Sequence, residues 1–160
     1  VTEQVEDGEQ VVDMFAGVGP FAVPIAGRGA DVVGVDINER AIEYLRANAE
    51  RNGVSERVTA IHGDVREIAA AYDGWADRLV MNLPHSANEF VETAVALAGD
   101  RCVVHYYDIQ HEDDLFGPGE QAIRAAAEPE YDVTVQNRHT VRSYAPHEYN
   151  VVLDVELSRA

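Results

Sequence analysis

Lysine is absent from this chain. Its 160 residues hold 12 arginines against 29 aspartates and glutamates, a formal net charge of −17. So few cations argue against a surface that binds polyanions throughout, because phosphate contacts depend on Lys and Arg displacing counterions. High salt offers a second reason for the imbalance. At 1 M the Debye length falls to about 3 Å, so an acidic surface repels itself little. The composition points to a salt-loving source organism, and local basic clusters then say more about partners than the total charge. Cysteine occurs once, at Cys102, which excludes an internal disulfide and suits a reducing, cytoplasmic setting. No apolar run approaches the roughly 18 residues of a membrane span. The six histidines show no His-x-x-x-His or Cys/His spacing, so no metal site is expected. A Ser/His/Asp nucleophile elbow is missing too.

Apolar residues, by contrast, make up 46% of the chain, enough for the core of one domain. The most informative stretch is Val11-Val12-Asp13-Met14-Phe15-Ala16-Gly17-Val18-Gly19-Pro20-Phe21. An apolar strand runs into a Gly-x-Gly turn, and a proline suited to a first helical position follows. The unpaired amides of that helix start point into the turn. Gly17-x-Gly19-x-x-Ala22 also meets the loose dinucleotide fingerprint. For glycines alone, a tight connection without a ligand is the plainer reading.

The pattern predicts strands at Gln10–Phe15, Asp31–Asp36, Arg57–His62, Asp77–Asn82 and Arg101–Tyr107. Helices alternate with them over Pro20–Arg28, between the Asn38 cap and Asn52, from near Arg66, over Ala87–Ala98 and over Gly119–Ala127. Phe21, Pro24 and Ile25 are expected to face inward, and His111–Pro118 reads as an acidic loop. Asp132–Val141 and Glu148–Leu157 alternate apolar and polar residues around an Arg142–His147 turn. The implied fold is α/β: a doubly wound, mostly parallel seven-stranded sheet with an antiparallel C-terminal hairpin.

In open α/β sheets, ligands bind outside the carboxyl ends of the strands. Asp36 can accept hydrogen bonds from the two hydroxyls of a ribose, or merely lead the next helix. Asp64 can accept from an adenine amine while the Val65 amide donates to a ring nitrogen, or cap its own helix. Asp13 can anchor the glycine turn, touch a ligand amino group, or sit as a solvated strand acid. Phe15 and Phe21 suit a core or a platform for a ring. Asn82-Leu83-Pro84-His85 carries the sharpest signal. An amide with both donor and acceptor, pinned by a proline, resembles the element that holds a planar nitrogen-bearing substrate against a methyl donor; the alternative is a plain strand-ending turn. His85 reads as a solvent-facing loop residue or as a general base. Arg138, His139, Arg142 and His147, with Tyr144 among them, form the one locally basic stretch. It suits a phosphate backbone or a stacked base, and equally an ordinary hairpin end.

With these residues the chain resembles the class I S-adenosylmethionine-dependent methyltransferases, and more narrowly the archaeal and eukaryotic tRNA (guanine-37-N1)-methyltransferase family. The matching stretches are Asp13–Phe21, Asp36-Ile37-Asn38 with its helix, Gly63–Glu67, Asp77–Phe90 and Val141–Pro146. The resemblance implies S-adenosyl-L-methionine as cofactor, held by Asp13, Phe15, Gly17, Val18, Gly19, Asp36, Ile37, Asn38, Asp64, Val65, Asn82 and Pro84. It implies tRNA as partner, met near its anticodon, with N1 of the guanosine 3′ of the anticodon as methyl acceptor. Asn82 becomes the catalytic-site residue, orienting the base, and Arg138, Arg142 and Tyr144 the substrate contacts. A monomer without metal or membrane is expected. Family members are expected to bring a Glu and an Arg from segments before the glycine turn. No arginine precedes Arg28 and the chain begins at Val1, so those segments and a tRNA-docking part are expected to be absent, with cofactor bound but turnover poor. Three readings compete. A wybutosine-pathway aminocarboxypropyl transferase uses the same cofactor. A nicotinamide dehydrogenase half has an acid at the spacing of Asp36, but Asp64 and Asn82-Leu83-Pro84 disfavour it. The third is a non-catalytic cofactor-binding module.

Overall fold

Short apolar runs, richest in valine in the first two, form the first four strands of the computed structural model, which describes residues 1–160. These are β1 (Gln10–Asp13), β2 (Asp31–Asp36), β3 (Val58–His62) and β4 (Ala76–Met81). Branched side chains fit a pleated surface that is covered on both faces. Three longer strands follow: β5 (Ala98–His111), β6 (Tyr131–Ala145) and β7 (Glu148–Arg159). Between the strands lie α1 (Ala22–Gly27), α2 (Glu39–Arg51), α3 (Val65–Ile68), α4 (Val91–Leu97) and α5 (Gly117–Ala127). One sheet results, in the order β3-β2-β1-β4-β5-β7-β6. The first five strands are parallel, and β7 lies antiparallel between β5 and β6. From β1 the chain winds outward through β2 and later returns on the other side through β4. The ends of β1 and β4 therefore flank a switch point, where such sheets open a crevice.

Alternate residues along the strands feed two cores, as the period of two requires. Val11, Val32 and Val80 pack with Ile25, Ile42 and Leu45 of α1 and α2. Val12, Val33, Leu79 and Val104 pack on the opposite face with Ala94, Leu97 and Ile123 of α4 and α5. Each such aliphatic side chain contributes roughly 1.5–3 kcal/mol on burial.

A polar cluster interrupts the first of these faces. Buried Arg78 donates to Nε2 of His105 at 2.8 Å, and Nδ1 of His105 lies 2.7 Å from Asp154. Arg78 also holds Glu9 at 2.7 Å and the Gln4 carbonyl at 3.1 Å, which ties the lead-in segment to the sheet. The arginine has no proton acceptor to offer, so His105 is neutral, with its proton on Nδ1 facing Asp154. Burial accordingly pushes the histidine below its ordinary value, and the hydrogen bond from it helps hold Asp154 down at about 2.

Several boundaries differ from the sequence expectation. β1 stops at Asp13 and α1 starts only at Ala22, because the glycine turn occupies the residues between. Pro24 is exposed rather than inward. The helix expected over Ala87–Ala98 is a 3-10 turn, Ala87–Phe90, followed by α4, and Ala98 already belongs to β5. The terminal strands run further than their polarity suggests. β6 pairs with β7 through three register shifts, as far as Ala145 opposite Glu148. Only Pro146 and His147 remain as the turn, with His147 at φ 65°. Arg142 and Tyr144 therefore stand in a strand, not in a loop.

Candidate functional site

The glycine turn is fastened on both sides. The Met14 amide donates to Val80 of β4 at 3.0 Å, and the Ala16 amide donates to Val35 of β2 at 2.8 Å. Gly17 and Gly19 then take φ of +56° and +99°, a region that side-chain-bearing residues rarely enter. A Cβ on Gly19 would lie 2.6 Å from Leu45 Cδ1, so that glycine is also required by packing. Asp36, at the end of β2, accepts from the Gly17 amide at 2.9 Å through one oxygen and from the Asn38 amide at 2.8 Å through the other. It is thus more than a helix-leading acid: it joins the turn after β1 to the start of α2. A carboxylate has about four acceptor positions, so two remain for a ligand.

Beside Asp36 lies a cavity of about 210 Å³ at the ends of β1 to β4. Phe15, Ile37, Val65 and Leu83 give it apolar walls, and Asp36 and Asp64 give it acceptors. Ile37 is 73% exposed, a large aliphatic side chain left uncovered at the mouth. Phe90 closes the far side, edge to face with Phe15 at 4.9 Å. Arg66 lies over the Phe90 ring at 4.9 Å and pairs with Asp64 at 2.7 Å. Asp64 also accepts from the Arg66 amide at 2.9 Å, as the cap of α3. These bonds hold the Asp64 carboxyl below its usual range.

Asp13 overturns one expectation outright. It is 1% exposed, and neither carboxylate oxygen has a hydrogen-bond partner. The solvated reading of this strand acid fails. Burial pushes its pKa up to about 7, and the nearby charge of Asp36 adds to the push. The amides of Phe15 and Ala22 oppose it without closing a bond of good geometry.

The structure gathers Phe15, Asp36, Ile37, Asp64 and Val65 into one cavity, with Gly17 tied to it through Asp36. Other named residues lie apart. Val18 and Gly19 line a separate hollow beside α2, where Asn48 donates to the Val18 carbonyl at 2.9 Å. Asn38 caps α2. Asn82 is half-buried directly after β4. From it the chain sends Leu83 to this cavity and Pro84 to a second one. The basic stretch does not form a patch. Arg138 pairs with Glu120 at 2.8 Å and His147 with Glu112 at 2.9 Å, while Tyr144 meets His85 at 3.2 Å. Arg66, Leu83 and Phe90 carry no role in the sequence reading. The Asp64-x-Arg66 spacing at a helix start was their one local signal.

The charge of the site selects among ligands. Two carboxylates, Asp36 and Asp64, line it, and its one cation, Arg66, is already paired. A pyrophosphate would meet repulsion with no free arginine to offset it. A nucleoside bearing a net positive charge, as S-adenosyl-L-methionine does, fits both the apolar slot and the acids. No helix is long and apolar enough to cross a membrane. No group of three or more His, Cys, Asp or Glu side chains is arranged to hold a metal ion.

Comparison with known proteins agrees with this geometry. Residues 1–136 match the TRM5/TYW2 methyltransferase domain. Over 159 residues the chain is 41% identical to tRNA (guanine(37)-N(1))-methyltransferase Trm5b of Pyrococcus abyssi, covering 99% of this chain and 47% of that protein. It is 32% identical to the tRNA(Phe) (4-demethylwyosine(37)-C(7)) aminocarboxypropyltransferase of Pyrococcus horikoshii, covering 95% and 55%. The chain thus spans about half the length of these curated relatives. Among solved structures, that of M. jannaschii TYW2 in complex with AdoMet superposes with a TM-score of 0.93 at 28% identity, covering 99% of this chain and 73% of that one.

Proposed function

Since the chain belongs to the TRM5/TYW2 methyltransferase domain family, we propose that it holds S-adenosyl-L-methionine at the ends of β1 to β4 and serves methyl transfer to N1 of guanosine-37 in tRNA. The observation that carries the cofactor half is the Asp36 carboxylate, which bridges Gly17 and Asn38 and keeps free acceptor positions beside the cavity. In this reading Asp36 accepts from the ribose hydroxyls. Phe15, Ile37, Leu83 and Phe90 enclose the adenine, and Asp64 with the Val65 amide reads its edge. Gly17, Val18 and Gly19 let the backbone approach closely, and Asp13 places a buried carboxyl beneath the turn. When bound, the cofactor supplies a methyl group on an electrophilic sulfonium. Asn82 presents a donor and an acceptor to the guanine edge, and Pro84 fixes that loop. Alignment of this kind is worth several kcal/mol of barrier. The N1 proton must leave as the new bond forms, which calls for a general base. Arg138, Arg142 and Tyr144 meet the RNA near the anticodon.

The same pocket suits an aminocarboxypropyl transferase, and the 32% identical relative supports that second reading. The 41% identity to a methyltransferase favours the first. The net charge of −17 supports a salt-loving source and a monomer, the lone Cys102 a reducing, cytoplasmic setting, and the Pyrococcus relative an archaeal origin. Calorimetric titration of the chain with S-adenosylmethionine and with NAD tests the cofactor: binding of the first and not the second is expected, and the reverse sinks the proposal. Mass analysis of tRNA treated with the protein, extended to its relatives' length, tests the product. A methylguanosine that drops at least a hundredfold in Asn82→Ala is expected; an aminocarboxypropyl adduct would establish the second reading instead.

A further inference from the structure

Past Asn82 the chain opens onto a second cavity, of about 370 Å³. Pro84 and His85 form one wall, Asp108 of β5 another, and Tyr144 and Glu148 close it from the tip of β6 and β7. Of its lining, only Pro84 has a part in the cofactor reading.

Three features define its chemistry. Tyr144 is a large aromatic ring, 50% exposed, standing on a strand. Its hydroxyl meets His85 Nε2 at 3.2 Å, and the two rings lie edge to face at 5.3 Å. The contact braces the ring while leaving a face open. Next, the acceptors are carboxylates. Asp108 is half-buried, and burial pushes its carboxyl upward; it accepts from the Ile109 amide and from Gln110, each at 2.9 Å. Glu148 stands with it, and no arginine lines the space. Such a lining repels phosphate and favours a ligand edge rich in N–H donors. Finally, Pro84 is two residues beyond Asn82, no more than about 7 Å of chain. The cavity therefore adjoins the amide assigned to the guanine.

We infer that this cavity receives the nucleobase next to the methylated guanine in the RNA chain, stacked on Tyr144 and held through its amino edge by Glu148 and Asp108. The inference rests on the methyltransferase reading above. Proteins read single-stranded RNA by splaying bases onto aromatic rings and bonding their edges, and this volume admits a base. Guanine, adenine and cytosine each present an exocyclic amine to the carboxylates. Uracil presents none, so the subsite discriminates against uridine.

The test titrates the ¹⁵N-labelled chain, saturated with S-adenosylmethionine, with the dinucleotides ApG, GpA, UpG and GpU. Amide shifts are expected at Asp108, Tyr144 and Glu148, with adenosine-bearing dinucleotides binding about tenfold tighter than their uridine counterparts. Tyr144→Ala weakens all four by about tenfold or more. Glu148→Gln removes the preference and retains the stacking. Neither substitution changes the affinity for S-adenosylmethionine. Shifts confined to other residues, or equal binding of the adenosine and uridine pairs, overturn the subsite and leave the cofactor reading standing. Failure of the unaltered chain to bind S-adenosylmethionine overturns both.

Discussion

Replacing Asp13 with Asn removes a buried ionisable group and almost nothing else. The native carboxyl is raised from its ordinary 3.8 to about 7 by burial, and a shift of that size corresponds to about 4 kcal/mol between its two protonation states. The sign follows from linkage. A raised carboxyl means that the folded chain prefers the protonated form. Its contribution is whole below pH 4, where folded and unfolded chains both carry the proton, and is lost as pH rises through 7. The wild type should therefore lose about 4 kcal/mol between pH 4 and pH 8 from this residue alone. Asp13→Asn should lose none of it. The amide brings its own unpaired N–H groups, which add a constant offset, so the slope of the difference against pH is the quantity to read. Self-repulsion at a net charge of −17 is nearly common to both chains and cancels. Urea unfolding in 2 M KCl at pH 4 and pH 8, followed by Trp75 fluorescence, measures it. Relative to the wild type, the variant should gain stability steadily with pH. At the 2–4 °C per kcal/mol of a domain this size, the full effect is roughly 8–16 °C in Tm. A difference that is flat in pH refutes the assignment of an unpartnered, buried Asp13.

Four further outcomes follow from the same geometry. Gly19→Ala forces its Cβ to 2.6 Å from Leu45 and 2.9 Å from Val23 at φ +99°, and should cost about 2–4 kcal/mol; Gly17→Ala has open space at φ +56° and should cost about 1 kcal/mol, so thermal melting separates the two. Asp36→Ala strands the Gly17 and Asn38 amides and removes the acceptor assigned to the ribose, so calorimetry should show S-adenosylmethionine affinity falling by about tenfold or more. Asp154, held down at about 2, contributes stability that is present above pH 4 and lost as pH falls toward 2. Asp154→Asn should therefore be weaker than wild type by about 2 kcal/mol at neutral pH, with the gap closing in acid denaturation. RNA binding should depend weakly on salt, with a slope near −1 in log K against log salt concentration, as for about one or two phosphate contacts; a slope beyond about −4 in filter-binding assays would contradict it.

What the sequence disclosed and what it hid divide along a physical line. The glycine turn, Asp36 and the Asp64 cap were legible because each depends on residues a few positions apart: a positive φ, an amide two residues on, a helix start. The strand alternation was legible for the same reason. The burial of Asp13 was not. An acid at the end of a strand reads as solvated, but β1 pairs on both sides, with Asp13 opposite Gly34 in β2 and Val80 in β4. The face that Asp13 shares with Val11 is covered by Ala22, Ile25 and Ala26 of α1, and that follows from tertiary packing rather than from local pattern. The long ends of β5 and β6 were hidden likewise. Their extent is set by β7, inserted between them, so residues as polar as Arg142 and Ser143 stay in the ladder. Phe90 reaches the cofactor cavity only because β4 lies beside β1, which brings it to Phe15.

The charge pattern bears on how such an acidic chain would meet the RNA proposed as its substrate. Seven of the twelve arginines are committed to carboxylates: Arg57, Arg66, Arg78, Arg101, Arg124, Arg138 and Arg159. Of the rest, Arg28 follows α1, and Arg40, Arg46 and Arg51 lie on α2. Only Arg142 stands near the hairpin tip, beside Tyr144. This rim therefore has little charge to trade for counterions, and stacking surfaces with base-edge acceptors must carry more of the recognition. Those interactions depend on contact rather than on long-range field, and they survive where the Debye length is about 3 Å. In the molar salt of the proposed source, an acidic surface and the proposed RNA substrate are compatible: salt that tolerates the first also screens the repulsion that would exclude the second.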